Sequence, residues 1–122
     1  MGLDGMDVYR EIIKGNIEYD IMKDNFPYDR ERLDEIVELM AETLASKKAT
    51  FCIAGDTYSA STVKFKLLRI NSLHIQYVFE CLDKNTTEVR NIKKYLLATL
   101  FNAPSTMGSY YKAQVNHDMY GD

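Results

Sequence analysis

The segment at residues 29–48, DRERLDEIVELMAETLASKK, constrains the fold more than any other part of the chain. Its apolar residues recur at i, i+3, i+4, i+7 and i+11, which places them in one stripe along an α-helix. They are Leu33, Ile36, Val37, Met40 and Leu44. Asp29 can cap the start of this helix, and Lys47 and Lys48 at its end suit the helix dipole. The segment therefore predicts a core helix with an acidic outer face.

A second helical pattern precedes it, from about Val8 to Met22. Gly15 is a weak point in this run, and Pro27 pushes the residue before it into an extended conformation. The apolar residues at helical spacing are Tyr9, Ile12, Ile13, Ile17 and Ile21. We expect one helix or a pair of helices here, ending in DNFPYD.

A small β-hairpin is expected after the acidic helix. The run Thr50–Ile53 favours a strand, and Gly55-Asp56 offers a turn before Thr57 and Tyr58. No GxxxxGK pattern follows the glycine, so a phosphate-binding loop is not expected.

Two nearly contiguous helices follow, in STVKFKLLRI and NSLHIQYVFECLDKN. Asn71 or Ser72 can cap the second, and His74 is expected to serve in packing or hydrogen bonding. The residues expected to point inward are Val63, Leu67, Leu68, Ile75, Val78 and Leu82. Those expected to face solvent are Lys64, Lys66 and Arg69.

The stretch NTTEVRNIKKYLLATLFNAP reads as one helix with Asn85 as its cap, Glu88 completing a loose capping box, and Pro104 as its end. The expected buried stripe is Val89, Ile92, Leu96 and Leu100, widened by Leu97 and Phe101. Arg90, Lys93 and Lys94 share one face of its first turns, where cations oppose the helix dipole by about 0.3–1 kcal/mol each. An anionic partner is one reason for such a cluster, and a solvated helix face is the other.

A last helix is expected after Pro104, capped by Ser105 or Thr106 and terminated by Gly121. Its weaker apolar face consists of Met107, Tyr110 or Tyr111, Val115 and Met119. The prediction for residues 1–122 is one mainly α domain, a compact bundle of about five or six helices with one small β-hairpin.

Charge is divided unevenly along the chain. Residues 1–46 carry a net charge of -7 and residues 47–112 carry +6, whereas the whole chain has -3. Two oppositely charged faces are one consequence. Cys52 and Cys81 lie far apart within apolar runs, so we expect free thiols in a cytoplasmic protein. Neither a signal peptide nor a membrane span is expected.

The residue types do not assemble a recognisable catalytic or metal site. His74, His117, Asp118, Cys52 and Cys81 lack a spacing such as HxxxH or CxxC, so no metal or cofactor is expected. Ser72, His74 and Asp83 could form a triad on paper, but there is no GxSxG elbow, and we do not expect an enzyme. Basic helix faces with nearby tyrosines leave accessory DNA binding open, although a pI near 5.4 is far from that of a dedicated binder.

Three segments carry a family resemblance: IEYDIM, ERLDEIVELMAETL, and the run from Lys66 to Gly121. Together they resemble the C-terminal domain that accompanies the RepA_N winged-helix domain in replication initiators of plasmids and mobile elements from low-GC Gram-positive bacteria. That family is in turn similar to the helical DnaD domain. The DnaD pattern is YxxxIxxxW preceded by an Asn and basic residues. Arg90, Asn91 and Tyr95 match its start, and Leu100 and Asn102 also fit. Thr99 and Ala103 stand where Ile and Trp would be.

The resemblance implies that this is the C-terminal domain of a longer initiator whose N-terminal domain reads the origin. The domain would then dock a host replication protein, such as primase, helicase or helicase loader, without catalysis or cofactor. Weak direct contact with DNA is the alternative. Residues that we expect to contact the partner or DNA are Lys64, Lys66, Arg69, Arg90, Asn91, Lys93, Lys94, Tyr110 and Lys112.

Overall fold

The computed structural model of the chain describes residues 5–85 and 91–120, with side chains as far as residue 113. Helices are α1 (Gly5–Asn16), α2 (Tyr19–Asn25), α3 (Arg30–Ala45), α4 (Ala60–Leu68), α5 (Ser72–Lys84) and α6 (Ile92–Tyr120), with a 3₁₀ turn at Pro27–Asp29. Strands β1 (Thr50–Ile53) and β2 (Asp56–Ser59) form one antiparallel hairpin. The predicted mainly α bundle with a small hairpin is confirmed.

The helix α3 lies at the centre of the bundle and packs against α1, α4 and α6. All five residues of its predicted stripe are buried. Two expectations about its ends are wrong. Asp29 precedes the helix but makes no side-chain cap bond, because its carboxylate pairs with Arg32 at 3.1 Å. The helix stops at Ala45 and the chain becomes extended at Ser46, so Lys47 and Lys48 lie beyond it.

The N-terminal pattern forms two helices, as one of the two expected arrangements, but the break is not at Gly15. It falls at Glu18, whose backbone is left-handed with φ 55°. The bend lets Ile13 and Ile17 enter the same core as Met22 of α2. The other isoleucines of the pattern, Ile12 and Ile21, remain substantially exposed.

The hairpin pairs Thr50 with Ser59 and Ile53 with Asp56. Its two turn residues are Ala54 and Gly55, one position earlier than expected, and both have positive φ, 53° and 87°. Two left-handed residues match the type I′ turn, whose twist suits a tight hairpin.

The hairpin also joins the core through side chains of both strands. Ile53 is buried, and the Tyr58 ring lies 4.6 Å from the Phe101 ring of α6, centroid to centroid. Cys52 is exposed on the hairpin rather than buried, and both Cys52 and Cys81 are free thiols.

The apolar residues of α4 and α5 follow the predicted pattern with one exception. Val63, Leu67, Ile75 and Val78 are buried, and Leu82 packs partly buried against the core. Leu68 is instead exposed, and its carbonyl accepts a hydrogen bond of 3.1 Å from Asn16 at the end of α1.

The helix α5 begins with a complete capping box. The side-chain oxygen of Asn71 accepts from the backbone N–H groups of Leu73 and His74, and His74 Nδ1 accepts from the Asn71 N–H at 3.0 Å. The hydrogen-bonding role expected for His74 is thereby confirmed, and Asn71 is the capping residue.

The final helix departs most from the expectations. Asn85 ends α5 instead of starting a helix, and Asn91 caps α6, because its Oδ1 accepts from the Lys94 N–H at 3.1 Å. Glu88, Val89 and Gly121 lie outside the described residues.

The helix α6 does not stop at Pro104 but continues to Tyr120. Thr106 lies inside it and donates to the Asn102 carbonyl at 3.0 Å, so it caps no new helix. Proline costs one backbone hydrogen bond and its ring crowds the preceding turn. Ala103, Met107 and Tyr110 nevertheless pack on the core from both sides of it, so burial holds the helix together there.

Candidate docking surface

Two of the expected contact residues on α4 are already used inside the fold. Lys64 Nζ donates to the Ser46 carbonyl at 2.7 Å, where it binds the free C-terminal end of α3. Lys66 Nζ lies 4.3 Å from the centroid of the Phe101 ring. Both are half-buried, which corrects the expectation that they face solvent. Arg69 is exposed and stacks over the Phe65 ring at 5.4 Å.

The basic cluster at the start of α6 also contains one residue that is paired within the fold and one that is exposed. Lys93 pairs with Glu42 of α3 at 3.6 Å, and both side chains are largely exposed. Lys94 is exposed, and Asn91 serves as the helix cap. Arg90 lies outside the described residues.

The remaining candidates lie on the C-terminal half of α6. The Lys84 ammonium donates to the Tyr110 hydroxyl, and this hydrogen bond raises the pKa of Lys84. The Tyr110 ring also packs edge-on against Tyr77, 5.3 Å between centroids. Burial is the main reason that the pKa of Tyr111 rises to about 12. Lys112 is exposed.

The DnaD-like positions divide between core and surface. Leu100 is fully buried. Tyr95, Thr99 and Asn102 line a shallow cleft of about 320 Å³ between α5 and α6. These motif positions therefore lie at the contact between α5 and α6, not beside the basic residues of α6.

A groove between α3 and α6 is a concave feature that the sequence did not predict. It consists of two adjoining clefts of about 280 and 450 Å³ that share Glu35, Ile92 and Leu96. We call it the α3–α6 groove. The further lining residues of the two clefts are Arg32, Asp34, Glu38, Leu39, Glu42, Leu82, Asn85 and Lys93.

The floor of the α3–α6 groove is apolar. Leu39 and Leu96 are 8% and 4% exposed, and Ile92 stands 46% exposed beside them. Ile92 had been expected to be buried with Leu96 and Leu100. It stays open because it occupies the first position of α6, where the described residues do not cover it.

A salt bridge lies at each end of the groove. Arg32 of α3 binds Asp83 of α5 at 2.6 Å, and the Asp83 hydrogen bond raises the pKa of Arg32. At the other end Lys93 binds Glu42. Exposed pairs of this kind contribute about 0–1 kcal/mol, so either can open to admit a ligand.

The wall of the groove formed by α3 is acidic. Glu38 is held by Arg10, and that hydrogen bond lowers the pKa of Glu38. Asp34 accepts from the Tyr19 hydroxyl, which raises the pKa of Tyr19 to about 12. Within the described ranges, Asp34 and Glu35 have no cation at ion-pair distance. This wall is the acidic outer face that the sequence indicated.

Other kinds of site find little support in the described part of the chain. Its His, Cys, Asp and Glu side chains form no group of three that could hold a metal ion. No described helix is long and apolar enough to cross a membrane. His74 has its pKa lowered by burial and is committed to the α5 capping box.

Comparison with known proteins gives one match. Searches of the curated proteins and of the solved structures find no match to this chain. A family model described as a family of unknown function, DUF6017, matches residues 1–122. Because the match spans the whole sequence, the chain belongs to the DUF6017 family.

Proposed function

We propose that this chain is a non-catalytic, cytoplasmic docking domain that forms the C-terminal part of a plasmid or mobile-element replication initiator. It recruits a host replication protein, from the primase or helicase machinery, to the origin. The sequence resemblance supplies the biological setting of the proposal. The α3–α6 groove is the structural observation that carries it, because an open apolar floor beside charged walls is typical of protein-binding surfaces.

The contacts that the basic residues already make within the fold favour a protein partner over DNA. Lys64 is bonded to Ser46, and Lys93 is paired with Glu42. A phosphate contact by Lys93 would have to break its ion pair beside the carboxylate wall of α3. Phosphates would meet electrostatic repulsion from Glu35 at this wall.

Accessory DNA binding remains a second candidate because of one basic region. Lys64 approaches Ser46, so Lys47 and Lys48, the next residues along the chain, lie close to α4. Both are exposed, as is Arg69. Exposed cations close to one helix can contact a phosphate backbone.

A binding experiment with purified host proteins tests the leading proposal. The chain is immobilised and offered primase, replicative helicase and helicase loader separately at low salt. We expect one of the three to be retained in stoichiometric amount. Retention of none of them would overturn the recruitment proposal.

A DNA titration tests the second candidate. Labelled single- and double-stranded DNA is titrated with the chain at two salt concentrations, and again with Lys47, Lys48 and Arg69 all changed to Ala. DNA binding by these side chains predicts affinity that falls steeply with salt and is lost in the triple variant. Absent or salt-independent binding would exclude it.

A further inference from the structure

We propose that the α3–α6 groove binds a cationic amphipathic helix of the partner protein, with the apolar face of that helix on Ile92 and its lysines or arginines against the α3 wall. This inference rests on the proposed docking function and specifies the chemistry of the partner at that surface. The shape, the apolar floor and the charge of the groove all favour such a partner.

The shape fits a short helix. The groove follows α3 from Arg32 to Glu42, which at about 1.5 Å per residue is about 15 Å long. This equals nearly three turns of a docked helix. Binding of an amphipathic helix in a groove uses apolar anchors on successive turns, so two or three such anchors fit.

The floor supplies the apolar contact. Ile92 is 46% exposed at the first turn of α6, and the edges of Leu39 and Leu96 lie beside it. A leucine or isoleucine of the partner placed there would remove the exposed part of Ile92 from water. Burial of apolar area of this kind stabilises a complex, against the cost of association.

The acidic α3 wall of the groove favours a partner with cationic side chains. Asp34 and Glu35 have no cationic partner at ion-pair distance among the described residues, and Glu35 lines both halves of the groove. At one end, Arg32 faces both Asp29 and Asp83. An acidic or neutral apolar helix would leave Asp34 and Glu35 without a cationic partner, whereas lysines flanking the apolar face would pair with them.

A synthetic peptide of about 12 residues serves as the probe. Leucines occupy i, i+3, i+4 and i+7, and the other positions are mainly lysine. One control peptide has the same composition in scrambled order, and a second has glutamate in place of every lysine. Binding to the complete chain is measured by fluorescence anisotropy, and the site is mapped by backbone amide chemical shifts.

We expect the amphipathic lysine peptide to bind and to shift amides around Leu39, Ile92 and Leu96. The scrambled peptide should bind at least about tenfold more weakly, because it presents no apolar face. The glutamate peptide should not bind. Equal affinity for the ordered and scrambled lysine peptides, or shifts confined to other surfaces, would overturn the inference.

Variants of the chain sharpen the test. Glu35→Lys and Ile92→Asp should each weaken binding of the lysine peptide by about tenfold or more. Asp24→Lys is the matched control, because it makes the same charge change as Glu35→Lys at an exposed position of α2 outside the groove. It should change the affinity by less than about twofold. Both target residues are exposed, and circular dichroism verifies that each variant folds.

The same variants separate this inference from the proposed function. If a host replication protein binds the chain and neither Glu35→Lys nor Ile92→Asp weakens it, the groove assignment is wrong while recruitment stands. If the lysine peptide binds in the groove but no host replication protein is retained, the groove assignment stands and the recruitment proposal fails.

Discussion

Arg10 of α1 and Glu38 of α3 are joined by two hydrogen bonds, 2.6 Å from Nε and 3.0 Å from Nη2 of the guanidinium. This bidentate arrangement fixes two helices against each other beside the α3–α6 groove. Asp7 also binds the guanidinium, at 2.7 Å. The pair raises the pKa of Arg10 and lowers that of Glu38.

The Arg10–Glu38 pair predicts a pH-dependent contribution to stability. Because folding lowers the pKa of Glu38, its contribution is complete above the ordinary value of 4.5 and is lost as pH falls through the folded value. Glu38→Gln should therefore lower the free energy of unfolding at pH 7 and change it much less at pH 3. Urea denaturation at both pH values measures this, with Glu35→Gln as the unpaired control. An equal Glu38→Gln effect at the two pH values would contradict the assignment.

The α5 capping box predicts the cost of losing its first residue. Asn71 accepts hydrogen bonds from two N–H groups that would otherwise have no partner in the helix. Asn71→Ala should destabilise the chain by about 1 kcal/mol, whereas Asn71→Ser should retain most of the stability. Urea denaturation compares the two. An Asn71→Ala variant as stable as the native chain would show that this cap is not formed.

His74 makes the stability of the same capping box depend on pH, through burial of its neutral ring rather than through an ion pair. Nδ1 must be unprotonated to accept the Asn71 N–H, and burial lowers the pKa of His74 below its ordinary value of 6.5. Its contribution is therefore complete above that value and declines as pH falls below it. His74→Gln keeps a residue that suits the box and should flatten the stability profile between about pH 7.5 and 5.

His117→Gln is the control for this profile, since His117 is the other histidine of the chain. The native pH dependence should persist in it. If His117→Gln rather than His74→Gln removes the slope, the titrating group has been misassigned.

The hairpin turn predicts a stabilising substitution. Ala54 has φ 53°, a left-handed conformation that costs alanine more than it costs asparagine or glycine. Ala54→Asn produces the Asn-Gly pair favoured in type I′ turns and should stabilise the chain by about 0.5–1 kcal/mol. Thermal denaturation measures it against Ala49→Asn, an exposed residue before β1. A loss of stability in Ala54→Asn would contradict the turn geometry.

Substitution of Pro104 tests whether α6 is continuous through this residue. If the helix runs through this residue, Pro104→Ala restores a backbone hydrogen bond and should stabilise the chain by about 1–3 kcal/mol. Ser105→Ala, which introduces the same residue at the next exposed position, should add less than about 0.5 kcal/mol. Urea denaturation of both variants decides the matter, and an unchanged stability for Pro104→Ala would favour a helix that ends there.

Sequence periodicity determined the class of fold and much of the core. The stripe from Leu33 to Leu44, the hairpin at residues 50–59 and the cap at Asn71 all depend on neighbours within a few positions. Local spacing sets which face of a helix is apolar, and local hydrogen bonds set turns and caps, so these features could be read directly. The acidic character of the exposed face of α3 belongs to the same group.

Only the tertiary structure shows which distant residues contact each helix face. Pro104 signals an end to a helix, but packing on both sides of it outweighs the lost hydrogen bond. Lys64 and Lys93 look free in sequence, yet Ser46 and Glu42, distant in the chain, engage them. The groove at Ile92 exists only because α3 and α6 lie side by side, and no pattern within either helix specifies that neighbour.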